Sequence, residues 1–239
     1  MAYIKLDHVK STNDYVKSHM DELQHFDIVY TTNQTNGKGR RTNQWYSTKE
    51  SLTFSICLKT TLSQEAFSLI PFYTGSILHQ VLSTFSNDLL IKWPNDLLLN
   101  QKKVAGILTE SIIQQDQISL IVGIGLNVNH TKFPLDLADK AISLRQVLHR
   151  SIPMNILLND ICQRFIDQFD QYCLCPQDVL KYCENHLAYK NQSITFHHQH
   201  HVVEGTLIGI HPKGYLTIQI GNKLQHFLSG EVKQIQQNQ

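Results

Sequence analysis

A mixed α/β domain followed by a small antiparallel β-barrel is the fold that the sequence predicts. Three observations carry that prediction. Strand-like apolar runs alternate with helical patterns as far as His186. Helical spacing then stops. Ser193 to Leu228 breaks instead into short strands separated by His211-Pro212-Lys213-Gly214 and Gly221-Asn222, both good turn sequences. The expected division is a larger unit at residues 1–186 and a small barrel at 187–239.

Each element has its own warrant. Ser11-Thr12 suits the start of a helix whose apolar stripe is Tyr15, Val16, His19, Met20 and Leu23. Phe26–Thr32 and Ser51–Leu58 read as strands flanking the polar loop "NQTNGKGRRTNQW". Between Glu65 and Phe85, apolar residues at 66, 69, 70, 73, 77, 81 and 85 recur at helical spacing. Pro71 lies inside this pattern and predicts that the helix starts or bends there. A hairpin follows in "IKWPNDLLLNQKKVAGIL", with Trp93-Pro94-Asn95-Asp96 as a turn. On a regular pleat Lys103 shares a face with Ala105. The apolar run "ISLIVGIGLNV" is a further strand, and helices are expected at about 156–172 and 178–186.

Composition removes several function classes. With 41% hydrophobic and 17% charged residues the chain buries a core, so disorder is not expected. A net charge of +1 supplies no general field for nucleic acid or an anionic membrane. No apolar run is long enough to span a bilayer, and Met1 to Lys10 lacks the apolar core of a signal peptide. Five scattered cysteines suit a reducing compartment better than a disulfide framework, so a cytoplasmic location is expected.

Three places combine glycine with groups that handle anions. In "NGKGRR" (Asn36–Arg41), Gly37 and Gly39 expose backbone N–H groups beside Lys38, Arg40 and Arg41, a pattern suited to phosphate. Taken alone, the segment is better read as a mobile, solvated loop. Around Lys103, Gly106 sits in a strand interior, where glycine marks close approach by a ligand or another chain; the plain alternative is a bulge with exposed lysines. "GIGLNVN" places Gly123, Gly125 and Asn127 together, with an amide oxygen able to face a metal or a phosphate-bound water. It lacks the third glycine of a dinucleotide fingerprint.

In chain order, "STN" (11–13), "QTNGKGR" (34–40) with Trp45 downstream, "KWPND" (92–96), "KVAGIL" (103–108) and "GIGLN" (123–127) resemble the motifs of biotin protein ligases. The resemblance spans Ser11 to Asn129 by motif. It implies a mixed-sheet catalytic domain like those of class II synthetases and biotin–lipoate ligases, with a small SH3-like C-terminal barrel. Two departures stand out: Lys38 replaces a frequent arginine, keeping charge but losing the planar fork, and Thr42-Asn43 replaces a frequent Gly-Arg. The ligase pattern begins by Ser11 and leaves no room in this sequence for the DNA-binding helix-turn-helix that some members carry, so a ligase without repressor function is expected.

The resemblance also implies the chemistry. Biotin and ATP would give biotinyl-5′-AMP and pyrophosphate, with Mg²⁺ on the pyrophosphate side. A lysine of a biotin carboxyl carrier domain, from acetyl-CoA carboxylase or a related carboxylase, would then take the biotinyl group. Arg40 and Lys103 are the expected catalytic cations. Ser11, Thr12, Asn13, Gln34, Gly37, Lys38, Gly39 and Gly106 are assigned to biotin. Arg40, Trp45, Lys103, Gly123, Gly125 and Asn127 are assigned to the nucleotide, with Asn127 also toward the metal and Trp45 against adenine. For Ser11 and Thr12, helix capping remains the competing role. Asn95 and Asp96 are expected only to hold their turn. A homodimer through a sheet edge is compatible with the pattern; nucleic-acid and membrane partners are not expected. A non-catalytic biotin sensor and a lipoate-type acyl ligase are the alternatives. The first would need damaged phosphate chemistry, and the second lacks the paired "KWPND" and "KVAGIL" motifs.

Two further clusters invite a metal reading and do not sustain it. "HHQHH" (His197–His201) lies at a strand–turn junction without evident closing ligands, so a solvated turn is expected. Cys173, Cys175 and Cys183 lack paired spacing and are expected to pack within helices.

Overall fold

Alternation along the central strands sorts apolar from small residues before any helix is added. In Ser51–Leu58, the residues Leu52, Phe54, Ile56 and Leu58 join the main core, while Cys57 belongs to a second apolar cluster. The same rule divides Gln117–Asn127: Val122, Ile124 and Leu126 enter the main core, and Ile121 enters the second cluster. Gly123, Gly125 and Asn127 follow Ile121 on that second face, where they line a cleft.

The computed structural model describes residues 1–59, 61–114, 117–198 and 201–234. In chain order the first part contains β1 (Tyr3–Lys5), α1 (Thr12–Ser18), β2 (Ile28–Thr31), β3 (Gly37–Lys38), β4 (Gln44–Trp45) and β5 (Ser51–Leu58). It continues with α2 (Gln64–Leu82), β6 (Leu89–Lys92), β7 (Asp96–Leu99), β8 (Lys102–Gln114) and β9 (Gln117–Asn127). Four helices follow: α3 (Leu144–Leu148), α4 (Met154–Asp167), α5 (Phe169–Leu174) and α6 (Asp178–Asn185). Five strands complete it: β10 (Ser193–His198), β11 (His201–Ile210), β12 (Leu216–Ile220), β13 (Lys223–Phe227) and β14 (Glu231–Gln234).

Seven strands form a mixed sheet in the order β1-β2-β5-β9-β8-β7-β6, with β1 and β2 parallel and the other neighbours antiparallel. Helix α2 and α4–α6 cover one face. Tyr73 of α2 stacks on Tyr172 at 4.3 Å between ring centroids, and their hydroxyls donate to the carbonyls of Phe165 and Ala66. Helix α1 covers part of the other face through Val16, with Met20 and Leu23 just beyond it. The last five strands form an antiparallel sheet, β13-β12-β11-β10-β14, with Gly214 and Gly221 in its turns at φ +79° and +57°. The architecture is the expected mixed α/β fold with a small SH3-like antiparallel unit.

The two sheets meet at the turn between β6 and β7. Trp93, 3% exposed, donates its indole N–H to the Gly214 carbonyl at 3.0 Å. Glu184 of α6 accepts from Ile210 N at 3.0 Å and pairs with Lys190 at 2.7 Å. The peptide bond Trp93–Pro94 is cis.

Four local expectations need correction. Helix α1 ends at Ser18, although Met20 and Leu23 are still buried; His19 N bonds to Tyr15 O and the chain then turns. Helix α2 starts at Gln64, not at Pro71, because Ser63 Oγ caps the Ala66 N–H and the proline is accommodated inside the helix. Cys175 is exposed rather than packed, whereas Cys183 is buried; all five cysteines are free. Lys103 does not share its face with Ala105. The β7–β8 register shifts between Leu97 and Leu98, which face Ala105 and Lys103, so Val104 is an extra residue in the ladder. The bulge puts Lys103 and Gly106 together: a Cβ on Gly106 would lie 3.0 Å from Lys103 Cε. For the histidine tract, Gln199 and His200 lie outside the described residues, while His198 Nδ1 contacts Ser229 O at 2.7 Å.

His79 of α2 supplies a pH test of this core. It is 4% exposed, with Nδ1 2.9 Å from the Tyr182 hydroxyl and Nε2 3.1 Å from Leu89 O. The carbonyl accepts only, so Nε2 carries the proton and Nδ1 receives the Tyr182 O–H. Burial first, and the nearby His186 second, push its pKa down to about 4; the bond to Leu89 opposes them. Unfolded His79 thus takes up a proton at a higher pH than the folded residue, and stability falls as pH drops from about 6.5 towards 4. Denaturant titrations at pH 7 and pH 4 are expected to show the wild type losing roughly 3 kcal/mol more than His79→Gln over that interval. Equal losses in the two proteins would remove His79 as the cause.

Candidate active site

A cleft of about 970 Å³ opens on the α1 face of the large sheet. Its floor is the β8–β9 ladder, where Gly106 lies opposite Gly125. The N-terminus of α1 and Gln34 form one wall, and the β3–β4 hairpin contributes Lys38, Gly39, Arg40 and Trp45. The β6–β7 turn forms the opposite wall, with Glu231 and Lys233 arriving from the small sheet.

The "GKGRR" segment is built as a hairpin. Gly37 pairs with Trp45 and Lys38 with Gln44, while Gly39 N donates to Asn43 O at 2.8 Å and Arg41 takes a left-handed φ of +59°. Gly37 does not line the cleft. It is buried behind the hairpin, where a Cβ would lie 2.5 Å from Trp45 O and 2.6 Å from Gln34 Nε2. Close backbone packing therefore requires this glycine.

Arg40 and Lys103, assigned from sequence to the same chemistry, line the same cleft together with Asn127. Arg40 Nη1 donates to Asn95 Oδ1 at 3.3 Å, and Asn95 Nδ2 is itself tied to Ile107 O at 2.8 Å. Burial, then the charge of Arg41, lowers the Arg40 pKa, while Asp96 opposes this; the guanidinium stays charged. Lys103 Nζ lies 2.7 Å from Asp96 Oδ1 and 5.5 Å from the centre of the Trp45 ring. Lys92 also lines the cleft, its pKa lowered chiefly by burial against the opposing pull of Asp96 and Glu231. Lys38 is different: it is half-exposed and paired with Asp14 at 2.6 Å, the bond that raises its pKa.

The glycines of the floor receive protein side chains. A Cβ on Gly125 would lie 2.3 Å from Trp45 Cε2, and one on Gly106 would lie 3.2 Å from Trp45 Cζ3. The indole therefore rests across this cross-strand glycine pair, with its buried Nε1 left without a hydrogen-bond partner among the described residues. Beside Gly123 the space is filled by Asn13, whose Oδ1 would be 2.2 Å from an added Cβ. At the α1 end, Ser11 Oγ caps Asp14 N at 3.4 Å, and Thr12 N donates to Gln34 Oε1 at 2.9 Å. Ser11 thus has the capping role, and both residues also line the cleft.

Sequence reasoning passed over Lys92 and expected Asn95 and Asp96 only to shape a turn. The hairpin instead pairs Asp96 with Gly106, and the bulge at Val104 brings Lys103 to the same carboxylate. The motif held all of these residues, but their contacts depend on that one-residue slip. Lys140 and Asp139 also reach the cleft, whereas Lys233 and Glu231 join it from across the sheet boundary, with no sequence signal to link them.

The comparisons with known proteins agree with this geometry. Residues 6–127 match the family model described as the biotin/lipoate A/B protein ligase family. The chain is 32% identical over 150 residues to the bifunctional ligase/repressor BirA of Bacillus subtilis, covering 61% of this chain and 46% of that protein. It is 30% identical over 176 residues to biotin–protein ligase 1, chloroplastic, of Arabidopsis thaliana, covering 69% and 45% respectively. The chain thus spans about half the length of these relatives. Among solved structures it is similar to the biotin protein ligase from Aquifex aeolicus in complex with biotin and ATP, with a TM-score of 0.86, 26% identity and 97% of each chain covered. With more than half of its residues inside one family's pattern, and the cleft built mostly from those residues, the chain belongs to the biotin/lipoate A/B protein ligase family.

Proposed function

We propose that the chain is an ATP-dependent, AMP-forming ligase that activates biotin and transfers it to a lysine of a biotin carboxyl carrier domain. The observation that carries this reading is the meeting of Arg40 and Lys103 in one cleft with the polar Thr12–Gln34 corner. A neutral cyclic urea fits the polar corner, and an apolar chain fits the floor between them. The acceptor would be acetyl-CoA carboxylase or a related carboxylase.

In the first step a carboxylate oxygen of biotin bonds to the α-phosphorus of ATP, and the bond to the pyrophosphate oxygen breaks. Two anions approach, so fixed cations near the phosphorus lower the barrier. Arg40, held by Asn95, and Lys103, held by Asp96, are oriented before substrate arrives. In the second step the acceptor amine bonds to the acyl carbon, AMP leaves with the bonding pair, and the amine loses a proton. Trp45 over the glycine floor limits water at the reacting centre. Gly39 and Lys38 place the hairpin over the cleft, and Gly123 and Gly125 let Asn13 and Trp45 lie against its floor.

Mg²⁺ fits this site as a companion of the nucleotide rather than in a protein cage. Among the described residues no group of three or more His, Cys, Asp or Glu is arranged to hold a metal. Asn127 commits Nδ2 to Lys103 O at 3.3 Å, which leaves its amide oxygen as the donor assigned to the metal. Bound there with its waters, Mg²⁺ would offset charge on the phosphates.

Three coarser inferences accompany this reading. We assign residues 1–186 to biotin and ATP binding and 187–239 to the appended barrel. A homodimer has a route through the edge strand β1, where Tyr3 is 38% exposed. A cytoplasmic location is consistent with free cysteines and with the lack, among the described residues, of a helix long and apolar enough to cross a membrane.

Pyrophosphate release with ATP and Mg²⁺ is expected to depend on biotin and to stay at background with lipoate; the reverse preference would overturn the substrate assignment. Lys103→Ala is expected to lower the rate of adenylate formation by on the order of a hundredfold or more while the fold is retained. A wild-type rate in that variant would remove Lys103 from the chemistry.

A further inference from the structure

We propose that a chain of hydrogen bonds, Glu110–Asn13–Ser55, fixes the hydroxyl of Thr12 as a hydrogen-bond acceptor and so makes the site select a ligand N–H over a ligand oxygen. The inference rests on the biotin reading and extends it to two residues outside the cleft, Ser55 and Glu110. Ser55 is fully buried in β5, and neither Ser55 nor Glu110 lines the cleft, so neither is a contact residue.

The hydrogens follow from the network. Asn13 Nδ2 lies 3.2 Å from Leu108 O and 2.8 Å from Glu110 Oε2. Both partners accept only, so the amide cannot flip without setting its oxygen against a carbonyl and a carboxylate. Asn13 Oδ1 must then face Ser55 Oγ, at 2.6 Å. The absence of a side chain at Gly123 gives that oxygen its room. An amide oxygen cannot donate, so the single hydroxyl hydrogen of Ser55 is used on Asn13.

Thr12 Oγ1 lies 2.7 Å from Ser55 Oγ, and a bond at that distance needs a hydrogen that Ser55 no longer has. Thr12 therefore donates its own hydrogen to Ser55. Its other oxygen contact, Gln34 Oε1 at 3.4 Å, is too long to compete. Thr12 Oγ1 is left with acceptor capacity only. Gln34 Oε1 already accepts from Thr12 N at 2.9 Å, which leaves Nε2 as the donating end of that side chain. One acceptor and one donor on adjacent residues match a cyclic urea, which presents N–H beside C=O. A carboxylate three hydrogen bonds removed thus sets the polarity of the contact: Glu110 orients Asn13, Asn13 takes the Ser55 hydrogen, and Ser55 takes that of Thr12. Ser55, Asn13 and Glu110 are positioning residues.

The test is calorimetric titration of the full chain with biotin and with two cyclic-carbamate analogues in which either ureido N–H is replaced by oxygen. For the wild type, biotin is expected to bind about tenfold or more tightly than the weaker analogue, since a ring oxygen facing Thr12 Oγ1 leaves two acceptors opposed. In Ser55→Ala the Thr12 hydroxyl is released to donate, and the gap is expected to narrow to about threefold or less. Glu110→Ala, which removes one of the two acceptors that hold Asn13 Nδ2 and leaves only Leu108 O, is expected to narrow it in part and decides the matter alone should Ser55→Ala not fold. A merely structural role would weaken all ligands together, so an unchanged ratio in the folded variants overturns the inference. So does a wild type that binds biotin without discriminating. A wild type that binds no biotin at all overturns the functional reading itself, and with it this extension.

Discussion

One extra residue in β8 decides what the cleft contains. With a regular pleat, Lys103 would share the core face of Ala105 and Ile107, leaving Gly106 to face the cleft without it. The bulge at Val104 lets Lys103 and Gly106 face the same space, opposite Gly125 and beside Asp96. A cation, its carboxylate partner and a side-chain-free floor come together because the ladder slips once. The remaining parts of the site are arranged around that point: the hairpin lays Trp45 on the floor, and Asn95 joins Arg40 to the backbone of β8.

The glycines of the cleft do two kinds of work. The sequence alone suggests bare backbone offered to a ligand. In the folded chain the pair at 106 and 125 supports an indole, the one at 123 admits an amide, and the one at 37 lets two strands close. These are still close-approach positions, as glycine in a strand implies, but the approaching groups belong to the protein. Each then helps to place a polar or aromatic side chain whose own position would otherwise be loose. Charge is handled similarly: Lys103 and Lys38 each have a carboxylate partner within 2.7 Å, so the cations are aimed without a ligand present.

Much of this was legible in the sequence. Alternation in Ser51–Leu58 gives the strand and both of its faces, and the glycine-and-cation segments name most residues of the cleft. What could not be read were properties of register and of long-range pairing. No local signal marks Val104 as a bulge, since Val, Ala and Ile around it all suit a strand. Nor does the sequence reveal that Pro71 lies within a helix already capped at Ser63, or that Glu231 and Lys233 come to the mouth of the cleft from another sheet. The Ser55 hydroxyl is equally silent: one small residue on a strand acquires meaning only when Asn13 is seen to stand over Gly123.

Trp93 belongs to the most recognisable stretch of the chain, yet its indole is turned away from the reacting groups and fastened to Gly214 of the small sheet. That bond acts as a rivet between two units joined otherwise by packing, by Glu184 and by the bond from Gln177 to Pro212 O. Rotation of the small sheet must carry the Lys92–Asp96 turn with it or break a buried hydrogen bond at a cost of roughly 1–3 kcal/mol. The appended unit is thereby geared to the Lys92–Asp96 turn of the cleft, and a push on either one is felt by the other.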